Sequence, residues 1–183
     1  MTRLTIFSDD NPEDFQRIED FNDISMALNE IGVLIEQWNA GEILAKDASQ
    51  EEVMAAYDEQ IQQLNQQYGF TTIDVIGLNP DHPQKEAMRE KFLSEHTHDD
   101  FEIRFFVEGS GIFYLHMKDK VYATLCEQGD LISVPADTTH WFDMGTAPYF
   151  KCIRFFTTDE GWVGNFTGSD IAASFPDYDA LTS

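Results

Sequence analysis

His96-Thr97-His98 places two imidazoles two residues apart, and in an extended chain that spacing turns both side chains to one face. Glu102 follows the Asp99-Asp100 pair at the head of an apolar run, and His140 opens another such run further along. Three neutral imidazoles and one carboxylate suit a divalent transition metal such as Fe, Ni, Mn, Co or Zn. Four protein ligands in an octahedral shell leave two adjacent positions for water or substrate, which a purely structural site does not leave open. Any one histidine alone is more often a surface or hydrogen-bonded core residue. Here three of the five histidines fall at ligand-compatible places, so the pattern carries more than its members. His82, beside Pro83, and His116, inside an apolar run, lack such company and read as structural. Arg104, two residues after Glu102, should share its face on a strand and point inward near the metal. Its permanent charge could pair with an anionic oxygen there, although an internal salt bridge is the bland alternative. Arg154, within Phe150–Phe156, is a second candidate for anion binding.

From residue 96 onward the chain has the texture needed to position such a set. Short aromatic and β-branched runs (102–108, 111–117, 120–126, 131–134, 139–144 and 149–156) alternate with Gly, Asp and Asn turns. Six runs at close, regular spacing predict an antiparallel sandwich or barrel. The first ninety-five residues read as helix-rich. Leu4–Phe7 predicts a strand, Asn22 a helix cap for a face of Ile24, Leu28 and Ile31, and 33–35 a further strand. Ser49 and Glu52 have capping-box spacing before one long helix with Val53, Tyr57, Ile61 and Leu64 on its inner face, ended by Gly69. A strand over 71–76 and a helix over 83–93 lead into His96. The expectation is one domain over 1–183, with 1–95 packed outside a barrel core of 96–160 and a C-terminal segment, 161–183. The tail after Gly168 is expected to lie loosely on the surface.

Composition limits what such a site can serve. The 183 residues are 42% hydrophobic and 13% aromatic, enough for a sizeable core. Eleven basic residues against thirty-four acidic ones give a formal charge of −23, which repels nucleic acid and anionic membranes. An anionic substrate could bind only where a cation or buried arginines reverse the local sign. There is no apolar run of membrane-spanning length and no signal-peptide pattern at the start, and Cys126 and Cys152 lack disulfide-framework or metal-site spacing. A cytoplasmic protein with reduced thiols is the expectation, and a monomer, since no exposed apolar stripe is evident.

The stretch His96-Thr-His-Asp-Asp-Phe-Glu102, followed by Gly109, resembles the first cupin motif, and Gly129-Asp-Leu-Ile-Ser-Val-Pro135 with His140 resembles the second. Asp137 stands where that second motif usually has glycine and Met144 where it often has asparagine; neither touches the metal set. A narrower resemblance is to the bacterial acireductone dioxygenases of methionine salvage. It is carried by 83–98, Ile103-Arg104-Phe-Phe-Val-Glu-Gly109, Asp130–Pro135, His140-Trp-Phe-Asp-Met-Gly145 and Glu160-Gly-Trp162. The resemblance implies a mainly β cupin fold with N-terminal helices and one Fe(II) or Ni(II) per chain. It also implies O2-dependent cleavage of the ene-diol 1,2-dihydroxy-3-keto-5-methylthiopentene. With Fe(II) the implied products are formate and 4-methylthio-2-oxobutanoate; with Ni(II) they are formate, CO and 3-methylthiopropanoate. It implies that Arg104 helps generate and hold the substrate dianion, that Glu95 assists metal incorporation, and that Phe101 relays local conformational change. Phe92, Phe106, Phe142 and Trp162 are candidate walls for the methylthio tail, against ordinary core packing.

Two other readings share the metal set. One is a different cupin enzyme, such as a flavonol- or thiol-type dioxygenase or a sugar isomerase. The other is a non-catalytic sensor or storage cupin. A sensor would bring a basic DNA-reading domain, which this acidic chain does not suggest.

Overall fold

The computed structural model describes residues 1–45 and 47–183. In chain order the elements are β1 (Arg3–Ser8), β2 (Phe15–Ile18), α1 (Phe21–Asn29), β3 (Leu34–Gln37), α2 (Gln50–Ala56), α3 (Asp58–Tyr68), β4 (Thr72–Leu78) and α4 (Lys85–Leu93). They continue with β5 (His96–Thr97), β6 (Glu102–Met117), β7 (Lys120–Glu127), β8 (Asp130–Val134), β9 (His140–Asp143), β10 (Phe150–Phe156), β11 (Asn165–Phe166), a 3-10 turn (Ile171–Ser174) and α5 (Tyr178–Thr182). The strands are antiparallel, as the alternating runs predicted. One path runs β11-β5-β9-β6-β7-β1-β2, and β3, β8, β10 and β4 join around the other half of β6.

β6 is the hinge of the architecture. The runs 102–108 and 111–117 are one sixteen-residue strand, not two. Gly109 bends it, with φ +64, and a Cβ there would lie 1.8 Å from the Tyr149 carbonyl oxygen, so only glycine fits. Before the bend β6 pairs with β8 and β10; after it, with β7 and β9. Period-two alternation then sorts the side chains. Ile103, Phe105 and Val107 pack outward against Val53 of α2, Ile61 and Leu64 of α3 and Tyr57 between the two helices. Phe106, Phe113 and Leu115 enter the core between the sheets, together with Phe142, Phe150 and Cys152. Cys126 and Cys152 are buried free thiols.

Several boundaries differ from the sequence reading. Asp20, not Asn22, caps α1, because its carboxylate accepts from the backbone N–H groups of Asn22 and Asp23. The Ser49–Glu52 capping box is present, but the long helix is interrupted at Tyr57, whose ring is locked edge-on against Phe105. The sheet does not close into a full barrel; its paths end on short edge strands, which limits unpaired backbone. The N-terminal part is more than an outer layer, since β1 and β2 extend one half and β3 and β4 the other.

The C-terminal tail does not lie loosely. Phe175 is buried against Phe7 and Trp141 at ring-centroid distances of 5.5 and 6.0 Å. Asp143, fully buried at the end of β9, accepts from Arg89 Nε (2.7 Å) and Nη2 (3.0 Å) and from the backbone N–H groups of Gly145 (3.0 Å) and Tyr178 (2.8 Å). One carboxylate thus ties α4, β9 and α5 together. No helix of the described residues is long and apolar enough to cross a membrane.

Candidate metal centre

Backbone pairing brings the sequence-distant ligand candidates together. His96 on β5 faces His140 on β9 as a direct cross-strand partner, and Glu102 opens the neighbouring β6. The imidazole centroids lie 4.9 Å (His96–His98), 4.4 Å (His96–His140) and 5.2 Å (His98–His140) apart. Each ring offers a nitrogen within 4.8 Å of the others, in a buried group.

The outward ring nitrogens fix the tautomers. His96 Nδ1 donates to the Ser94 carbonyl (2.8 Å), His98 Nδ1 to Val163 (2.9 Å) and His140 Nδ1 to Thr138 (2.7 Å). Carbonyl oxygens only accept, so the proton of each neutral ring sits on Nδ1 and the Nε2 lone pair faces inward. Glu102 Oε2 lies 3.0 Å from His140 Nε2 and 3.3 Å from His98 Nε2. Lone pairs facing a carboxylate at that distance repel unless a positive charge lies among them. Three imidazolium rings in so small a space would repel one another; one cation satisfies the whole set. The residues therefore fit a divalent metal ion.

The electrostatics agree. Burial and the neighbouring His140 push His96 down to about 4, so it stays neutral. Burial alone would lower His98, but the Glu102 carboxylate outweighs this and raises it. Burial likewise works against ionised Glu102, yet Arg104 and the two imidazoles hold it well below the usual carboxylate range.

Arg104 is the fifth member. It is buried, donates Nε to Glu102 Oε1 at 2.6 Å, and its guanidinium carbon lies 4.8 Å from the ring centroids of both Phe113 and Phe142. Its Nη1 is buried with no acceptor among the described residues. Such a donor is costly to leave unmade inside a protein. It has hydrogen-bonding capacity to spare at the site. A cavity of about 580 Å³ opens here, lined by His96, His98, Arg104, Arg154, Phe92 and Trp162, with Ile76, Gln84, Met88, Lys91, Val163, Gly164 and Phe166. That lining contains three cations and no carboxylate, in a chain of net charge −23.

A family model described as "ARD/ARD' family" matches residues 3–164. The chain belongs to the ARD/ARD' family. Curated ARD-family relatives named acireductone dioxygenase include one from Methylococcus capsulatus, 54% identical over 96% of this chain and 95% of its own length. Another, from Aquifex aeolicus, is 52% identical over the full length of both. The solved acireductone dioxygenase from Bacillus anthracis, with a cadmium ion in its active centre, is 33% identical, covers 91% of this chain and 98% of its own, and superposes with a TM-score of 0.80. This ARD-family chain is thus a metal-dependent dioxygenase with the cupin fold.

For an ARD-family site, the remaining candidates fall in different places. Arg154 lines the cavity, but its Nε and Nη2 are committed to Asp74 at 2.8 and 2.7 Å. Phe106 and Phe142 belong to the core beneath the cavity, where Phe142 serves as a platform for Arg104; Gly111 leaves room for it, since a Cβ there would come within 2.2 Å of its ring. Phe101 is half-exposed and outside the cavity lining, while its neighbour Asp100 is buried, collecting hydrogen bonds from Phe101, Thr157 and Thr158. Glu95 is buried, next to His96. Sequence reasoning missed Gln84, Met88 and Lys91, whose i, i+4, i+7 spacing with Phe92 was a readable signal that one face of α4 lines the cavity.

Proposed function

We propose that this chain is the acireductone dioxygenase of methionine salvage, cleaving 1,2-dihydroxy-3-keto-5-methylthiopentene with O2. The observation that carries the reading is the cluster of three inward-facing Nε2 atoms, two of its histidines lining the same cavity as Arg104, whose Nη1 has no partner among the described residues. His96, His98, Glu102 and His140 are the ligands. An ion held there would supply Lewis-acid stabilisation of an ene-diolate. Arg104 donates Nη1 to an enolate oxygen and so favours the doubly deprotonated substrate; Glu102, kept ionised by Arg104, stays available as a ligand. The dianion is electron-rich enough to reduce O2 itself. For the Fe(II) products, breaking the C1–C2 bond places one oxygen atom of O2 in formate and the other in the 2-oxo acid; the Ni(II) products require C2–C3 to break as well, releasing C2 as CO. Met88, Phe92 and Trp162 offer the methylthio tail an apolar, polarisable wall. Arg154, held by Asp74, contributes positive charge to the far wall.

Fe(II) or Ni(II), one per chain, is the cofactor. The working unit is a single domain and a monomer, because one chain supplies the whole donor set and α2, α3 and the tail pack on the same sheets. Two buried reduced thiols fit a cytoplasmic setting. The test is metal analysis of fresh protein coupled to product identification from anaerobically prepared acireductone exposed to O2. The Fe-loaded enzyme should give formate and 4-methylthio-2-oxobutanoate, and the Ni-loaded enzyme formate, CO and 3-methylthiopropanoate. Unchanged substrate with both metals overturns the assignment.

A further inference from the structure

His116 does not fit the plain structural part that its position in an apolar run suggested. Its Nδ1 lies 3.0 Å from Glu95 Oε2 and its Nε2 3.3 Å from Asp9 Oδ2, so a carboxylate faces each side of the ring. Carboxylates at neutral pH only accept, so both contacts are hydrogen bonds when the ring carries both protons. Glu95 is almost fully buried, and its other oxygen accepts from Thr167 Oγ1 at 2.8 Å. Both oxygens of Glu95 are thus held by side chains from other parts of the chain, His116 on β6 and Thr167.

The backbone of the same residue reaches the other side of the metal centre. His116 N–H donates to the Thr139 carbonyl at 2.8 Å. Thr139 directly precedes His140, and Glu95 directly precedes His96. One residue of β6 thus fastens the segment leading into each of two ligand-bearing strands, one by side chain and one by backbone. β5 has only two residues, so it has little ladder of its own to hold His96 in place.

We infer that His116 is a positioning residue for the metal centre, holding Glu95 and through it His96, with Asp9 orienting the imidazole from the outer side. The inference rests on His96 being a ligand. Without His116, Glu95 loses the side chain that holds its Oε2, and its movement displaces the adjoining His96. The residue touches no reacting atom; it slows the loss of the ion.

The experiment is metal release from Ni(II)-loaded protein into excess EDTA, without substrate. His116→Gln should shorten the half-life of the bound metal about tenfold, and Glu95→Gln should do the same. The double variant should release metal no faster than the faster single one, because the two residues act as one unit. Asp9→Asn, at a part-exposed position, should accelerate release about twofold to threefold. Parental release rates in His116→Gln and Asp9→Asn would overturn the inference, as would effects that multiply in the double variant. Failure of the parent protein to retain Ni(II) would instead sink the ligand assignment itself, so the two outcomes are distinguishable.

Discussion

Two buried carboxylates, one at each end of β9, have opposite characters. Asp143 meets only donors: Arg89 on two sides and the backbone N–H groups of Gly145 and Tyr178. Every demand it makes is met by the chain, and its result is a clamp between α4, β9 and α5. Glu102 meets one true donor group, Arg104, and two imidazole nitrogens whose protons lie on the far side of the ring. A buried charge that the chain satisfies holds a fold together. One that faces two imidazole lone pairs, beside a guanidinium N–H with no acceptor among the described residues, fits the binding role we propose for it.

The largest way to break that comparison is to remove a proposed ligand. Glu102→Ala or His98→Ala should reduce metal retention by more than about a hundredfold and abolish turnover with either metal. Near-normal metal content by elemental analysis would make Glu102 the same kind of group as Asp143. Asp143→Asn is the counterpart. Breaking this paired, fully buried carboxylate should destabilise the protein by about 3 kcal/mol, lowering Tm by roughly 6–12 °C, with metal stoichiometry kept. If calorimetry finds Tm unchanged, the clamp reading of Asp143 fails. Arg104→Ala should retain the metal while kcat/KM falls about 10²- to 10³-fold, the range for losing one preorganised donor to a developing anion. Turnover at the parental rate would return Arg104 to a salt-bridge role.

The comparison sharpens with pH. His96 is pushed to about 4 and should remain neutral through mildly acid solution, whereas His98 is raised above the ordinary histidine value of 6.5. A raised value means that the metal-free site holds a proton on His98 as pH falls through that value, and this proton competes with the ion. Metal affinity should therefore decline on acidification first through His98. NMR titration of the metal-free protein checks it: an His98 midpoint below 6.5, or an His96 midpoint above it, contradicts the ordering.

What the sequence revealed and what it hid separate along the same line. The ligand pattern and the inward turn of Glu102 and Arg104 follow from local periodicity, which a single strand carries within itself. The capping box at Ser49 is equally local. The tail was misread because the partners of Phe175 are Phe7 and Trp141, and no pattern within residues 169–183 announces contacts that distant. Asp143 was read only as a motif residue, since Arg89 lies 54 positions away. His116 was set aside because Glu95 and Asp9 reach it from other strands and loops. Even the α1 cap shows the limit: Asp20 and Asn22 are both competent, and the backbone's path decided between them.

The smallest effect concerns Lys91. Both arginines of the cavity wall are already paired, Arg104 with Glu102 and Arg154 with Asp74, whereas Lys91 has no ion pair among the described residues. It is exposed on α4, so its charge is screened, and its influence on an approaching dianion is correspondingly modest. Lys91→Gln should raise KM about threefold at low salt, and the difference from the parent should vanish near 0.5 M salt, where screening removes steering. A KM shift of the same size at high salt would mean that Lys91 contacts the bound substrate directly. In that case the cavity wall, and not only the metal and Arg104, would read the negative charge of the ligand.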